Sequence, residues 1–166
     1  MTLLKKIRLL IIFFIIALIL SGITAFPVET ELRWLLNHPA LVPSFAKVWL
    51  QDVYDALVET NAKYPMLAYG FDWLAFAHIV IAMAFIGPLK DPVKNKWIID
   101  WAILACLAVL PLAFIAGPIR QIPMFHILID CSFGIIGLIP LLICRRWIQK
   151  LELSNDTAER TQQSTH

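Results

Sequence analysis

An all-α integral membrane protein is the fold class the sequence predicts, with four transmembrane helices in an antiparallel bundle and an amphipathic helix on the outer (periplasmic or extracellular) side. Three observations predict it. Of 166 residues, 60% are hydrophobic and 16% charged, with a mean hydropathy of +0.75, against roughly 45–50% apolar and about 25% charged in soluble domains. Four apolar runs each approach or exceed the ~20 residues that cross a bilayer. Lys and Arg gather on the flanks of one side of those runs. This composition excludes a soluble multi-domain enzyme. A formal net charge of +2 with no basic face in the sequence excludes a nucleic-acid binder, which needs cations to neutralise phosphates.

The first run, Leu9 to Phe26, follows Lys5, Lys6 and Arg8 and carries no charge. Its ~18 apolar residues exceed the 7–15 of a signal-peptide core, and Ile23-Thr24-Ala25 is a poor cleavage site, so an uncleaved span over about 7–26 is expected. Further spans are expected over about 66–88, 97–118 and 123–144. Short connections from Leu89 to Lys96 and from Ile119 to Ile122 make the last three spans antiparallel neighbours. Gly87-Pro88 and Gly117-Pro118 read as helix ends, and Pro111 and Pro140 as kinks within spans. Residues 1–152 thus form one membrane domain.

Orientation follows from the flanks. One side collects Lys5, Lys6, Arg8, Lys90, Lys94, Lys96, Arg145, Arg146 and Lys150, whereas the other has Arg33, Lys47, Lys63 and Arg120 thinly spread. Cytoplasmic loops carry the Lys/Arg excess, so both termini are expected in the cytoplasm, with the chain in the cell (inner) membrane. Trp97, Trp101 and Trp147 at the inner ends, and Tyr64 and Tyr69 at an outer end, are interface anchors.

Residues 27–65 form the outer segment. Ser44 after Pro43 is a candidate N-cap. Phe45, Trp49, Val53, Ala56 and Leu57 recur at helical spacing, with Lys47, Gln51, Asp55 and Glu59 opposite. This predicts an amphipathic helix ended by Pro65, preceded by a shorter helix over Glu29 to Leu36 that Asn37-His38-Pro39 breaks. Such a helix lies in the membrane interface or covers the mouth of the bundle. Residues 153–166 have almost no apolar content and are expected to form a disordered cytoplasmic tail.

Ionisable groups inside a bilayer cost at least about 2.5–3.5 kcal/mol each near its centre, which makes them the first functional candidates. Asp100 sits beside Trp97 and Trp101, within reach of Lys94 or Lys96, and reads as interfacial. Asp130 lies roughly 10 Å into the fourth span at 1.5 Å per residue. His126, Gly134 and Gly137 share its helical face. Small residues mark close helix approach, so Asp130 is expected to point into the bundle. Ala68, Ala75 and Ala82 form a small-residue stripe on the second span, with Asp72 and His78 to either side. The expected site is an outer-leaflet cluster of Asp72, Arg120, His126 and Asp130, with His78 beneath it, to bind a ligand or a proton.

Spacing narrows the chemistry. His78 and His126 differ in expected depth by about 10–15 Å, which disfavours a bis-histidine haem. Cys106, Cys131 and Cys144 fall within spans and form no C-x-x-C pair, which disfavours disulfide redox chemistry and leaves them as packing residues. His126 and Asp130 at i, i+4, with Asp72, make a weak alternative as zinc ligands. No nucleophile elbow, phosphate-binding glycine loop, H-E-x-x-H or dinucleotide fingerprint is present. No cofactor is identified.

These residues point to a multi-pass membrane protein, not an enzyme, that binds or passes a small polar solute or a proton, alone or within a larger complex. Two alternatives stay open: a membrane-embedded enzyme using Asp130 or His126 as acid or base on a lipid-like substrate, and an accessory subunit whose polar groups are structural. The bilayer is the partner common to all three. A bundle this small favours association with itself or with another membrane protein.

Overall fold

The computed structural model describes residues 2–164, which are helical throughout apart from short turns, with no strand among the described residues. The helices are α1 (Leu3–Ala25), α2 (Val28–Leu36), α3 (Lys47–Lys63), α4 (Ala68–Ala84), α5 (Ile86–Lys90), α6 (Lys96–Ile119) and α7 (Met124–Ser164). Single 3₁₀ turns occupy Pro39–Leu41, Ser44–Ala46 and Pro65–Leu67. Four stretches are long and apolar enough to cross a membrane: Leu3–Ala25, Pro65–Lys90, Lys96–Ile119 and Met124–Thr157. The first three coincide with expected runs to within a few residues, and the fourth covers the expected 123–144 and extends beyond it. Less than a third of the most apolar part of each is buried within the protein.

The chain divides into two compact units, residues 1–14 with 84–166, and residues 15–83. In the first, α6 packs along α7. The buried face of α7 runs Ile127, Cys131, Gly134, Leu141, Cys144 and Ile148, a three-four spacing that keeps one seam against a neighbouring helix. Glycines on or beside that seam set the approach. A Cβ on Gly134 would lie 2.7 Å from the Cys106 carbonyl oxygen, and one on Gly137 3.2 Å from Cys106 Sγ. On α6 itself, the space beside Gly117 is filled by the Ile127 side chain. The Phe14 and Phe85 rings pack at 5.0 Å between centroids.

The connections within this unit are tightly hydrogen-bonded. Helix α6 closes with the Ile122 amide donating to the Gly117 carbonyl at 2.9 Å and the Gln121 amide to that of Pro118 at 3.1 Å. Gln121 has φ 57°, the left-handed position that glycine usually fills in this Schellman arrangement. Between α5 and α6, Asp91 Oδ1 accepts the Lys94 amide at 3.0 Å, and the Asn95 side-chain amide donates to the Gly87 and Asp91 carbonyls. The Arg8 guanidinium donates to the Leu89 and Lys90 carbonyls at 3.1 and 3.2 Å, satisfying the last acceptors of α5 as a cation at a helix C-terminus can.

In the second unit, α2 packs on α3, and Asn61 Nδ2 donates to Glu29 Oε2 at 2.7 Å. Gly22 of α1 stands against α4: a Cβ there would meet the Ala75 carbonyl oxygen at 2.7 Å and His78 Cβ at 3.2 Å. Small residues thus bring α1 close to the Ala75 face of α4.

Several local expectations are corrected. Helix α7 continues past Cys144 and runs to Ser164, so the described part of the expected tail is helical. Propagating an existing helix is cheap, and Ala158, Glu159, Arg160, Gln162 and Gln163 are residue types of high helix propensity; the Thr157 hydroxyl donates to the Leu153 carbonyl at 2.8 Å. His166 lies outside the described residues. Gly87-Pro88 does not end the second span, because Pro88 falls in the first turn of α5, where no intrahelical partner for its missing amide is needed. Ser44 makes no side-chain cap and belongs to a 3₁₀ turn, and α3 starts at Lys47. Pro111 and Pro140, in contrast, lie inside helices where the sequence placed them.

Candidate functional site

Asp72 is the fifth residue of α4 and is exposed. It lines a cavity of about 240 Å³ together with Phe26, Glu29, Thr30, Leu57, Asn61 and Phe71, among others. This volume falls below the roughly 300–1,000 Å³ of drug-sized ligand sites and suits a small solute or a few waters. Glu29 is placed by the first turn of α2, where the helix dipole favours a carboxylate. Asn61, from the last turn of α3, fixes Glu29 through its 2.7 Å hydrogen bond. Two carboxylates, an amide and a hydroxyl over a partly apolar lining attract a cation, a proton or a strong hydrogen-bond donor.

His78 lies six residues further along α4 and is half-buried. Its Nδ1 stands 2.9 Å from the Leu74 carbonyl of its own helix. A proton on Nδ1 would donate to that carbonyl.

Arg120, His126 and Asp130 belong to the other unit. Arg120 is exposed and caps α6, its amide donating to the Ala116 and Gly117 carbonyls. Among the described residues it forms no ion pair. His126 Nε2 lies 3.8 Å from Asp130 Oδ1, with the two side chains 39% and 46% exposed. Asp130, expected to point into a bundle, is half-buried within this unit. Gly134 and Gly137 do face α6, but at the level of Asp130 the buried residues are Ile127 and Cys131. Each is rotated about 100° from the residue before it, so His126 and Asp130 flank the seam.

Asp100 is paired with Arg145, and Lys96 with Glu152 at 2.7 Å. The expected partners of Asp100, Lys94 and Lys96, lose to a cation from α7, which packs along α6. Cys106, Cys131 and Cys144 are free thiols. Among the described residues no three His, Cys, Asp or Glu side chains converge as metal ligands, so His126 and Asp130 stand as a pair without the converging third ligand a zinc site needs.

Sequence reasoning missed Glu29, Thr30 and Asn61. Their only signal was polarity at the ends of the outer helices, because the Asn61 to Glu29 contact spans 32 residues and no periodicity reports it. No protein-family model, curated protein or solved structure matches the chain.

Proposed function

We propose that the chain is a multi-pass membrane protein whose four long apolar helices span the cell membrane as an antiparallel bundle. Its basic flanks and both termini face the cytoplasm, and residues 27–65 lie outside. It binds a small polar solute or a proton in its outer half. Bilayer insertion is supported by the uncovered apolar surface: Leu104, Ile115, Phe133 and Ile136 are each more than 60% exposed. At about 25 cal/mol per Å² such surface is costly in water and costs nothing in hydrocarbon.

The observation that carries the site is the small cavity that Asp72 shares with Glu29, Thr30 and Asn61. Its carboxylates select a cationic or proton-donating occupant. The His126 and Asp130 pair is a second candidate position in the other unit, Arg120 is a candidate cation of that unit, and His78 is the next ionisable group along α4.

Two measurements test this reading. Mass spectrometry of purified protein should find a small polar molecule that wild type retains and Asp72→Asn loses. Proteoliposomes carrying a pH-sensitive dye should show proton flux under an imposed gradient that Asp72→Asn or Asp130→Asn slows at least tenfold. If nothing co-purifies and flux is absent or unaltered in both variants, these polar groups are structural and the proposal is wrong.

A further inference from the structure

The net charge of +2 hides a strong local imbalance. Residues 5–8, 90–100 and 145–152 hold nine Lys and Arg side chains against three carboxylates, Asp91, Asp100 and Glu152. All of them fall in one compact unit. Asp100 is taken by Arg145, Glu152 by Lys96, and an Asp91 oxygen by the Lys94 backbone amide. Arg8 is held on the α5 carbonyls. Among the described residues Arg146 and Lys150 have no carboxylate within ion-pair distance.

These two cations stand one helical turn apart on α7 and line a surface recess of about 440 Å³ with Ile143, Trp147, Gln149 and Leu153. Lys6 Nζ approaches the same indole, 5.9 Å from the Trp147 ring centre. The order along the helix is apolar at Ile143, aromatic and guanidinium at Trp147 and Arg146, then ammonium at Lys150. From Ile143 to Lys150 the rise is about 10 Å, comparable with the ~5–8 Å depth of one headgroup layer.

We infer that this recess binds the headgroup of an anionic phospholipid. Arg146 and Lys150 take the phosphate, Gln149 donates to the headgroup oxygens, Trp147 sits at the glycerol level and Ile143 lies along the upper acyl chain. The guanidinium supplies a planar fork matched to phosphate oxygens, and an indole beside cations suits the membrane interface. The zwitterionic phosphatidylcholine headgroup carries its own cation and gains less from this charge. The assignment rests on the membrane-spanning reading and goes beyond it by naming a lipid class.

The test uses the full chain in detergent, titrated with phosphatidylglycerol or phosphatidylcholine and read by native mass spectrometry. Wild type should retain phosphatidylglycerol in preference to phosphatidylcholine. Arg146→Gln with Lys150→Gln should lose roughly 30-fold of that preference, at ~1 kcal/mol per cation. Arg33→Gln with Lys63→Gln, which removes equal charge from the outer segment, should leave it unchanged. Both sites are exposed, so circular dichroism melting should be the same in all three proteins. Equal retention of the two lipids, or equal loss in both double variants, overturns the site. So does displacement of the lipid by millimolar inorganic phosphate, or a polypeptide held in fixed ratio through Arg146 and Lys150. Carbonate extraction of cell membranes separates the two readings: a chain that resists extraction but shows no lipid preference refutes the headgroup site alone, whereas an extracted chain refutes membrane insertion.

Discussion

A methyl group added to Gly134 would stand 2.7 Å from the carbonyl oxygen of Cys106. The obstacle is backbone, which cannot swing aside, so α6 and α7 must separate to admit it. Gly134→Ala is expected to cost about 1–3 kcal/mol, in the range of overpacked cores, and Gly134→Leu more. Gly70, with nothing within 4 Å of its position, is the control: Gly70→Ala should be neutral or stabilising by up to about 1 kcal/mol. Denaturant titration of detergent-solubilised protein reads both, and equal effects at the two positions would refute the close crossing.

The turn after α6 places Gln121 at φ 57°. A side chain there costs about 1–2 kcal/mol relative to glycine. Gln121→Gly is therefore expected to raise stability by about 1 kcal/mol, whereas Gln121→Val should lower it. The same titration checks the sign, and a destabilising Gln121→Gly would show that the Gln side chain contributes more than its backbone strain removes.

The Asp100 to Arg145 pair is 41% exposed on both sides. Partial exposure limits it, and a double-mutant cycle with Asp100→Asn and Arg145→Gln should return a coupling of about 0.5–1 kcal/mol. The coupling should shrink as salt rises from low to molar concentration, because exposed charges are screened. A salt-independent coupling would mean that the contact is not chiefly ionic.

Asn61 holds Glu29 at 2.7 Å. Asn61→Ala should cost about 1.5–3 kcal/mol, the worth of a hydrogen bond to a charged group. Asn61→Asp puts a second carboxylate in contact with Glu29 and should cost more than Asn61→Ala, because like charges repel. Thermal melts of both variants at neutral pH give the answer; an equal penalty for the two would show that the groups do not meet.

Bulk hydrophobicity made the four long helices legible, because an apolar run of span length has few other folds to adopt. The stripe through Ala75 and the close approach at Gly134 and Gly137 were legible for a similar reason, since small residues at helical spacing admit another backbone. Which residues meet across elements was not. Asp100 had two plausible cations on its own side of the sequence, and only the packing of α7 along α6 selects Arg145. Asp130 was placed on the glycine face by periodicity, but a helical face spans a wide arc, and the Ile127 and Cys131 side of it is the buried one. The cavity around Asp72 depends on where three helix ends meet, and helix ends are the least periodic part of a sequence.

Helix α7 runs 41 residues, about 60 Å at 1.5 Å per residue and roughly twice the thickness of a bilayer's hydrocarbon core. Gly134 lies near its start, some 45 Å of helix from Ser164. The Lys96 to Glu152 ion pair still ties α7 to α6 well past that crossing, so the stretch that extends beyond this anchor is about 18 Å, from Glu152 to Ser164. A spin label on that extension, paired with one on α6, would report by pulsed electron resonance whether the anchor holds: a single narrow distance with the ion pair intact, a broadened one in Glu152→Gln.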